Sequence, residues 1–401
     1  MNIPEYIERP LYLQRIMPYV QKDIMKIIVG QRRVGKSYLL YQLMGRISAL
    51  DPAGLQIYIN KELHEFADIR QANDLISYVE SLRKPDCRLY LFIDELQEID
   101  DFEHALRSLQ AEGNVDIYAT GSNAKLLSGE LATYLSGRYV EIKVYGLTYR
   151  EFLQFHNQEK GRESLNAYMK YGGLPYLRNL ALNDSVIFDY LANIADAIIL
   201  KDIVARYDIR NVPFLQRLMR YLADNVGSLV TARKISEYLK SQKIAVSHNL
   251  VIDYLAYLSN ALLVFRVNRY DIIGKKIFEI GEKYYFEDLG IRHAIVGFRA
   301  TDIQKILENI VFMHLKSAGY NVSVGQLGRW EVDFVCEKAD QRLYVQVAYM
   351  ITDNKVKERE FGNLLKIRDN FPKIVVSMDD AAGGNYHGVD HTHIQDFLLS
   401  I

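Results

Sequence analysis

The eight residues Gly30-Gln31-Arg32-Arg33-Val34-Gly35-Lys36-Ser37 constrain this chain more than any other stretch. They fit G-x-x-x-x-G-K-[ST], a glycine loop whose backbone N–H groups cradle phosphates. The apolar run from Met25 to Val29 reads as a short buried strand, and Tyr38 to Met44 reads as a helix. Strand, glycine loop and helix are the context such a loop needs. The helix start turns free amide hydrogens and the positive end of its dipole toward an anion. Gly30 and Gly35 let the backbone approach closely without a Cβ. Lys36 is the candidate for the β- and γ-phosphates of a nucleotide, and Ser37 for Mg2+. Gln31, Arg32, Arg33, Val34 and Tyr38 complete the expected binding stretch.

Alternation of strand and helix continues after the loop. A strand at Leu55–Asn60 and a helical pattern from Ile69 to Leu82 precede Leu89-Tyr90-Leu91-Phe92-Ile93-Asp94-Glu95. A buried parallel strand that ends in two acids delivers them at the carboxyl edge of a sheet, where open α/β sheets bind ligands. Asp94 is expected to hold Mg2+ opposite Ser37, and Glu95 to orient the attacking water. A fourth strand, Val115–Thr120, leads into Gly121-Ser122-Asn123. Two roles are open for Ser122: sensing the γ-phosphate, or helping to cap a helix that starts near Ala124. The fifth strand, Tyr139 to Val144, follows Arg138, a candidate arginine finger, although spacing alone favours a plain surface arginine before a strand. In the mostly helical lead-in, Arg9 and Tyr12 would touch base or sugar or, the preferred reading, pack the segment onto the sheet.

In the order in which they occur, Gly30 to Ser37, Ile93-Asp94-Glu95, Thr120 to Asn123, Leu135 to Arg138 and Gly172-Gly173-Leu174-Pro175 resemble a prokaryotic AAA+ ATPase family related to STAND NTPases. Leu147 to Phe152 and Leu200 to Ile203 look like that family too. The resemblance implies ATP as the nucleotide, a five-stranded sheet of order 5-1-4-3-2 and a helical lid. It implies that Arg138 serves hydrolysis, within an oligomer if it acts on a neighbour. It also implies that Pro175 reports nucleotide state from the helical domain. Gly146 departs from the pattern, standing where the family usually has proline.

From Tyr149 to about Arg210 the apolar spacing is helical, broken by the turn at Gly172–Pro175. Helices at Phe214–Asp224, Thr231–Ser241 and Ser247–Leu258, then an extended segment from Leu262, suggest a winged helix-turn-helix. Residues 211–280 hold ten Lys/Arg against five Asp/Glu. Arg233, Lys234, Lys240, Lys243, Arg266, Arg269, Lys275 and Lys276 are the candidates for phosphate contacts with DNA. The helix in the recognition position carries His248, Asn249 and Asp253 but no Arg or Lys, a poor base-reading face. From Thr301 the order helix, three strands, helix, strand resembles the restriction-endonuclease-like PD-(D/E)xK core. Glu308, Asp333 and Gln346-Val347-Ala348 carry that resemblance. Gln346 replaces the second metal-binding acid and Ala348 the lysine, so a degenerate domain is expected, unless Lys355 or Lys357 substitutes in space.

The formal net charge of −1 over 401 residues excludes a globally basic nucleic-acid binder. Two distant cysteines, Cys87 and Cys336, indicate neither a disulfide framework nor a Cys-rich zinc site. The start lacks the charged and apolar parts of a signal peptide, and no apolar run approaches a membrane span. A cytoplasmic protein without membrane association is therefore expected. The expected fold class is an α/β P-loop NTPase at residues 1–147, a helical lid at 148–212, a winged helix at 213–298 and an α/β endonuclease-like domain at 299–401. The expected function is an Mg2+-dependent ATP-hydrolysing switch, with homo-oligomers and an unidentified protein as partners. The competing expectation is an ATP-gated nucleic-acid binder or nuclease.

Overall fold

The structure, a computed structural model, describes residues 4–84, 87–123, 135, 137–244 and 246–400. The chain forms two compact units, one of residues 1–145 with 260–262 and one of 146–259 with 263–401.

In the first unit, strands β1 (Met25–Val29), β2 (Leu55–Asn60), β3 (Leu89–Asp94), β4 (Val115–Gly121) and β5 (Tyr139–Lys143) form one sheet. Its order is β2-β3-β4-β1-β5, every pair parallel, which is the order 5-1-4-3-2 read from the other edge. The sheet and strand order are those of a P-loop NTPase. β1 and β3 are buried along their whole length because helices cover both faces. Helices α1 (Pro10–Ile16), α2 (Lys36–Leu50), α3 (Ala72–Leu82) and α4 (Phe102–Ala111) supply that cover. Ile27, Val29, Leu91, Ile93 and Ile117 point to one side and pack with Leu75, Val79, Leu106 and Leu109 of α3 and α4. Leu39, Leu40, Leu43 and Ile47 of α2 are fully buried on the other, where Ile28, Phe92 and Tyr118 lie.

The second unit starts with α5 (Tyr149–Phe155), α6 (Arg162–Tyr171) and α7 (Asp184–Ala197), which runs into a π-helical stretch at Ile198–Ala205. Thr148 opens α5 with a capping box: its hydroxyl accepts from Glu151 N and its own N–H donates to Glu151 Oε2 at 2.9 Å. Next come α8 (Val212–Asp224), α9 (Ala232–Ser241) and α10 (His248–Asn260). Thr231 and Ser247 accept from Lys234 N and Leu250 N, the caps read from the sequence. The hairpin β6 (Val264–Asp271) and β7 (Lys276–Phe286) is followed by α11 (Leu289–Val296) and α12 (Ile303–Ser317). Strands β8 (Asn321–Leu327), β9 (Trp330–Lys338) and β10 (Gln341–Ala348), α13 (Asn354–Leu365), and β11 (Lys373–Ser377) match the order expected after residue 300. Strands β12 (Asn385–Tyr386) and β13 (Val389–His393) and helix α14 (Ile394–Leu398) complete the chain.

One mixed sheet of order β12-β13-β11-β10-β9-β8-β6-β7 unites this unit. β6 pairs in parallel with β8, Arg269 opposite Val324, so the hairpin at 264–286 is continuous with the strands that follow residue 299. Strand pairing, set by long-range register, thus crosses the position where the order of elements suggested a boundary. Among the described residues no helix is long and apolar enough to cross a membrane.

Candidate functional site

The glycine loop sits at the carboxyl end of β1, as its sequence context requires. Gly30 N donates to Gly121 O at 3.3 Å, which ties the loop to the end of β4. A Cβ on Gly30 would lie 2.4 Å from Val144 O, so only glycine fits there. Gly35 takes φ +94° at the cap of α2, and Arg33 is also left-handed at φ +71°. Lys36 is buried, and its ammonium donates to Gly30 O at 3.0 Å and Gln31 O at 3.2 Å. Those carbonyls hold the lysine across the loop it serves. Arg32 lies 3.7 Å from Glu62, while Arg33 and Tyr38 are exposed, Tyr38 packing edge-on to Tyr41 at 5.8 Å. Val34 is fully buried.

Gln31 is 1% exposed, yet neither end of its amide has a partner. A buried, unsatisfied amide costs free energy until something meets it.

β3 brings the two acids to the same edge. Asp94 is 2% exposed and accepts from Ser37, from Thr120 and from the Tyr58 hydroxyl at 3.2 Å. Burial raises its carboxyl above the usual carboxylate range, and the hydrogen bonds from Ser37 and Thr120 offset only part of that. Glu95 stands in the left-handed region at φ +59°, its N–H donating to Thr120 Oγ1 at 3.0 Å. Its carboxylate lies 3.8 Å from the Lys36 ammonium and accepts from the Gln97 amide. Burial pushes Glu95 upward too, but Lys36, Gln97, Arg32 and Ser122 outweigh it and hold the group below its ordinary value. Neighbouring acids at one strand end are thus driven in opposite directions by different partners.

Ser122 is buried just past β4, 3.4 Å from the Gln97 amide nitrogen and hydrogen-bonded with Glu95. The helix expected near Ala124 lies outside the described residues. Arg138 is exposed at the other end of the sheet. Its carbonyl accepts from Met25 N, and Tyr139 pairs with Met25 at the start of both strands. A five-residue strand, roughly 16 Å at 3.3 Å per residue, separates it from the glycine loop. Arg138 therefore cannot serve the site of its own chain. Pro175 belongs to the second unit, where it starts a short turn at Pro175–Asn179.

Four residues matter more than the sequence suggested. Arg9 is buried and donates to Val34 O at 2.9 Å and Tyr145 O at 3.0 Å, so it fastens the glycine loop to the chain leaving β5. Tyr12 accepts from Tyr145 N at 3.0 Å. Of the two roles weighed for Arg9 and Tyr12, these contacts are packing. Thr120 and Tyr58 position Asp94; each sits on a strand beside β3, but only the register shows that they face it.

In the second unit, Glu308, Asp333 and Gln346 come together, but not as a metal-binding set. Gln346 Oε1 accepts from Asp333 N at 3.3 Å, and its amide nitrogen donates to Glu360 at 3.1 Å. Ala348 is buried and offers no polar group. Lys355 is exposed, and the Lys357 ammonium rests 4.1 Å over the Tyr386 ring.

Residues 22–153 match a family described as an AAA domain, and residues 162–302 match a domain of unknown function. A protein of Haemophilus influenzae, itself uncharacterized, is 38% identical over 400 residues, covering 98% of each chain. The chain belongs to that protein's family, a family of P-loop AAA proteins. An uncharacterized protein of Methanocaldococcus jannaschii is 31% identical over 353 residues, 84% of this chain and 77% of its own. The Walker-type ATPase PABY2304 of Pyrococcus abyssi is similar over 72% of this chain and 96% of its own, at 16% identity and a TM-score of 0.49. For this AAA protein the fold assignment rests on its own strand order and on the family match.

Proposed function

We propose that the AAA domain binds ATP with Mg2+ and hydrolyses it, and that the second unit responds to the nucleotide state. The observation that carries this is the convergence of Lys36, Ser37, Asp94 and Glu95 at one sheet edge, with the two acids tuned apart. The residues fit the ligand. The buried Gln31 amide lacks a partner, Gly30 leaves room no Cβ could share, and Ser37 with Asp94 forms a hydroxyl–carboxylate pair suited to a hard cation. Mg2+ would supply charge neutralisation at the phosphates.

The residues divide the remaining tasks. Residues 30–38 cradle phosphate through backbone N–H groups, and Lys36 exchanges loop carbonyls for phosphate oxygens. Glu95, held ionised, orients water for attack. Ser122, bonded to Glu95, is placed to link that acid to the γ-phosphate. Arg138 acts on a neighbouring copy's nucleotide, which makes the working form an oligomer. The part of Pro175 in the nucleotide cycle is carried by the family resemblance.

For the second unit we retain the division into a helical lid (148–212), a winged helix (213–298) and an endonuclease-like remainder (299–401), the last two sharing one sheet. A protein partner suits it better than DNA. The exposed face of α10, with His248, Asn249, Ile252 and Asp253, has no cation. Arg233 and Arg266 are paired with Glu237 and Glu282. The basic side chains left for DNA are chiefly Lys234, Lys240, Lys243, Lys275 and Lys276.

The test is ATP binding and turnover by purified protein, with and without DNA. Lys36→Ala is expected to lose ATP binding. Glu95→Gln is expected to keep binding while turnover falls about 100-fold or more. Undiminished turnover in Glu95→Gln would remove Glu95 from its role, and stimulation by DNA would favour the nucleic-acid reading.

A further inference from the structure

Lys283 is a buried lysine that no sequence motif marks. It lies on β7 at 3% exposure, and its ammonium donates to Glu308 Oε1 at 2.8 Å. Glu331 Oε1 stands 2.9 Å away on its other side. Tyr285, two residues along and so on the same face of the strand, donates its hydroxyl to the same Glu308 oxygen. Asp333 is buried in the same field, where burial and Glu308 push its carboxyl far above the ordinary range and Lys283 opposes them. Its Oδ2 accepts from Val347 N at 2.8 Å.

These are the acids on which an endonuclease-like core would carry Mg2+. Their arrangement does not fit it. Gln346 spends both ends of its amide on Asp333 N and Glu360, and Ala348 supplies nothing. Among the described residues, no group of three or more His, Cys, Asp or Glu is arranged to hold a metal ion. A divalent ion coordinated by Glu308 would sit within a few ångströms of a fixed ammonium, in a place where solvent screens little of their repulsion.

We infer that the Lys283 ammonium occupies the cation position of this cluster, so that the second unit takes up no divalent metal and cuts no phosphodiester bond. The lysine does structurally what a metal would do: it joins carboxylates from α12 and β9 to β7. Its removal leaves acids that a metal ion can then satisfy.

The test uses the full chain carrying Lys36→Ala and Asp94→Asn, which silence the first unit's metal site, with Mn2+ alone as probe. With Lys283 present, titration followed by electron paramagnetic resonance is expected to show no Mn2+ bound. Adding Lys283→Ala is expected to lower the melting temperature, to create one Mn2+ site per chain, and to let Mn2+ recover much of the lost melting temperature. Adding Glu308→Gln to that variant is expected to abolish the new site. Stoichiometric Mn2+ binding by the Lys283-containing chain that Asp333→Asn removes would overturn the inference, as would a folded Lys283→Ala chain that binds no Mn2+. Should Lys283→Ala fail to fold even with Mn2+, the Lys283-containing chain decides by whether it binds the ion. Metal-dependent DNA cleavage lost on Lys283→Ala would show a relocated nuclease lysine instead and also overturn the inference.

Discussion

Asp94 shows how a candidate binding residue can weaken the protein that carries it. Its carboxyl is raised in the folded chain chiefly by burial, so ionising it costs folding free energy. The sign follows directly. Stability from this group is fully present below the unfolded carboxylate pKa, about 3.9, and is lost as pH rises through the higher folded value. Asp94→Asn is therefore expected to melt higher than the parent at pH 7 without nucleotide. The expected gain is a few degrees, at roughly 2–4 °C per kcal/mol for a unit this size. The advantage should shrink toward pH 4, and the variant should lose stabilisation by Mg2+ with ATP. A parent that melts as high as Asp94→Asn at pH 7 would show that Ser37, Thr120 and Tyr58 already satisfy the charge. Glu95 is tuned the other way, because Lys36 is 3.8 Å from it.

Elements here are held at their ends by single side chains. Arg9, from the lead-in before α1, fixes the glycine loop through Val34 O and the exit of β5 through Tyr145 O. Its counterpart in the second unit is the pair Glu287 and Asp288, between β7 and α11. Glu287 Oε1 accepts from Gly146 N at 2.7 Å, and Asp288 accepts from Gly173 N at 2.7 Å while capping α11 through Ile291 N at 3.0 Å. Gly146, which departs from the proline of the resembled pattern, thus supplies Glu287 with an N–H that a proline lacks. Gly146→Pro should cost about 1–3 kcal/mol in urea unfolding, for losing a hydrogen bond to a buried carboxylate. Equal stability in the two proteins would mean that Glu287 re-pairs elsewhere. Only glycine suits α11 at position 290, where a Cβ would lie 2.1 Å from Tyr171 O.

For the whole molecule, the proposed action of Arg138 on a neighbouring copy's nucleotide would make oligomerisation a kinetic requirement. It sits at the amino end of β5, a full strand from the loop of its own chain. Chains carrying Arg138→Ala and chains carrying Glu95→Gln should each be nearly inactive alone, and a mixture should turn over ATP faster than the sum of the two. Turnover per chain in the parent should also rise with protein concentration. A mixture no better than its parts would confine Arg138 to a surface role. The second unit carries its own ionic logic at this scale, because Lys283 reaches Glu331 from the edge of the sheet. In sheet order β7 stands three places from β9, about 14 Å across a flat sheet. Only a sheet that curls toward α12 lets the two meet.

Local pattern determined much of this protein. A buried apolar run, a glycine loop and a helix can be arranged in few ways, so Gly30 to Ser37 and the acids at the end of β3 were legible as a candidate site. Thr231 and Ser247 announced their helices through side chains that satisfy backbone groups only a few residues away. Other features depended on partners distant in the chain. The short polar run of β13 becomes a strand because β11 offers it an edge, β12 because β13 does, and the hairpin at 264–286 is drawn into the later sheet by β8. Thr120 and Tyr58 become partners of Asp94 through register alone. The same holds for Lys283, which looks like any lysine in a strand until the fold sets Glu308 and Glu331 around it. Sequence determined which residues can hold charge, cap a helix or turn a loop, since those properties are local. Tertiary structure decided which charges meet, since burial and distance between remote residues set their energies.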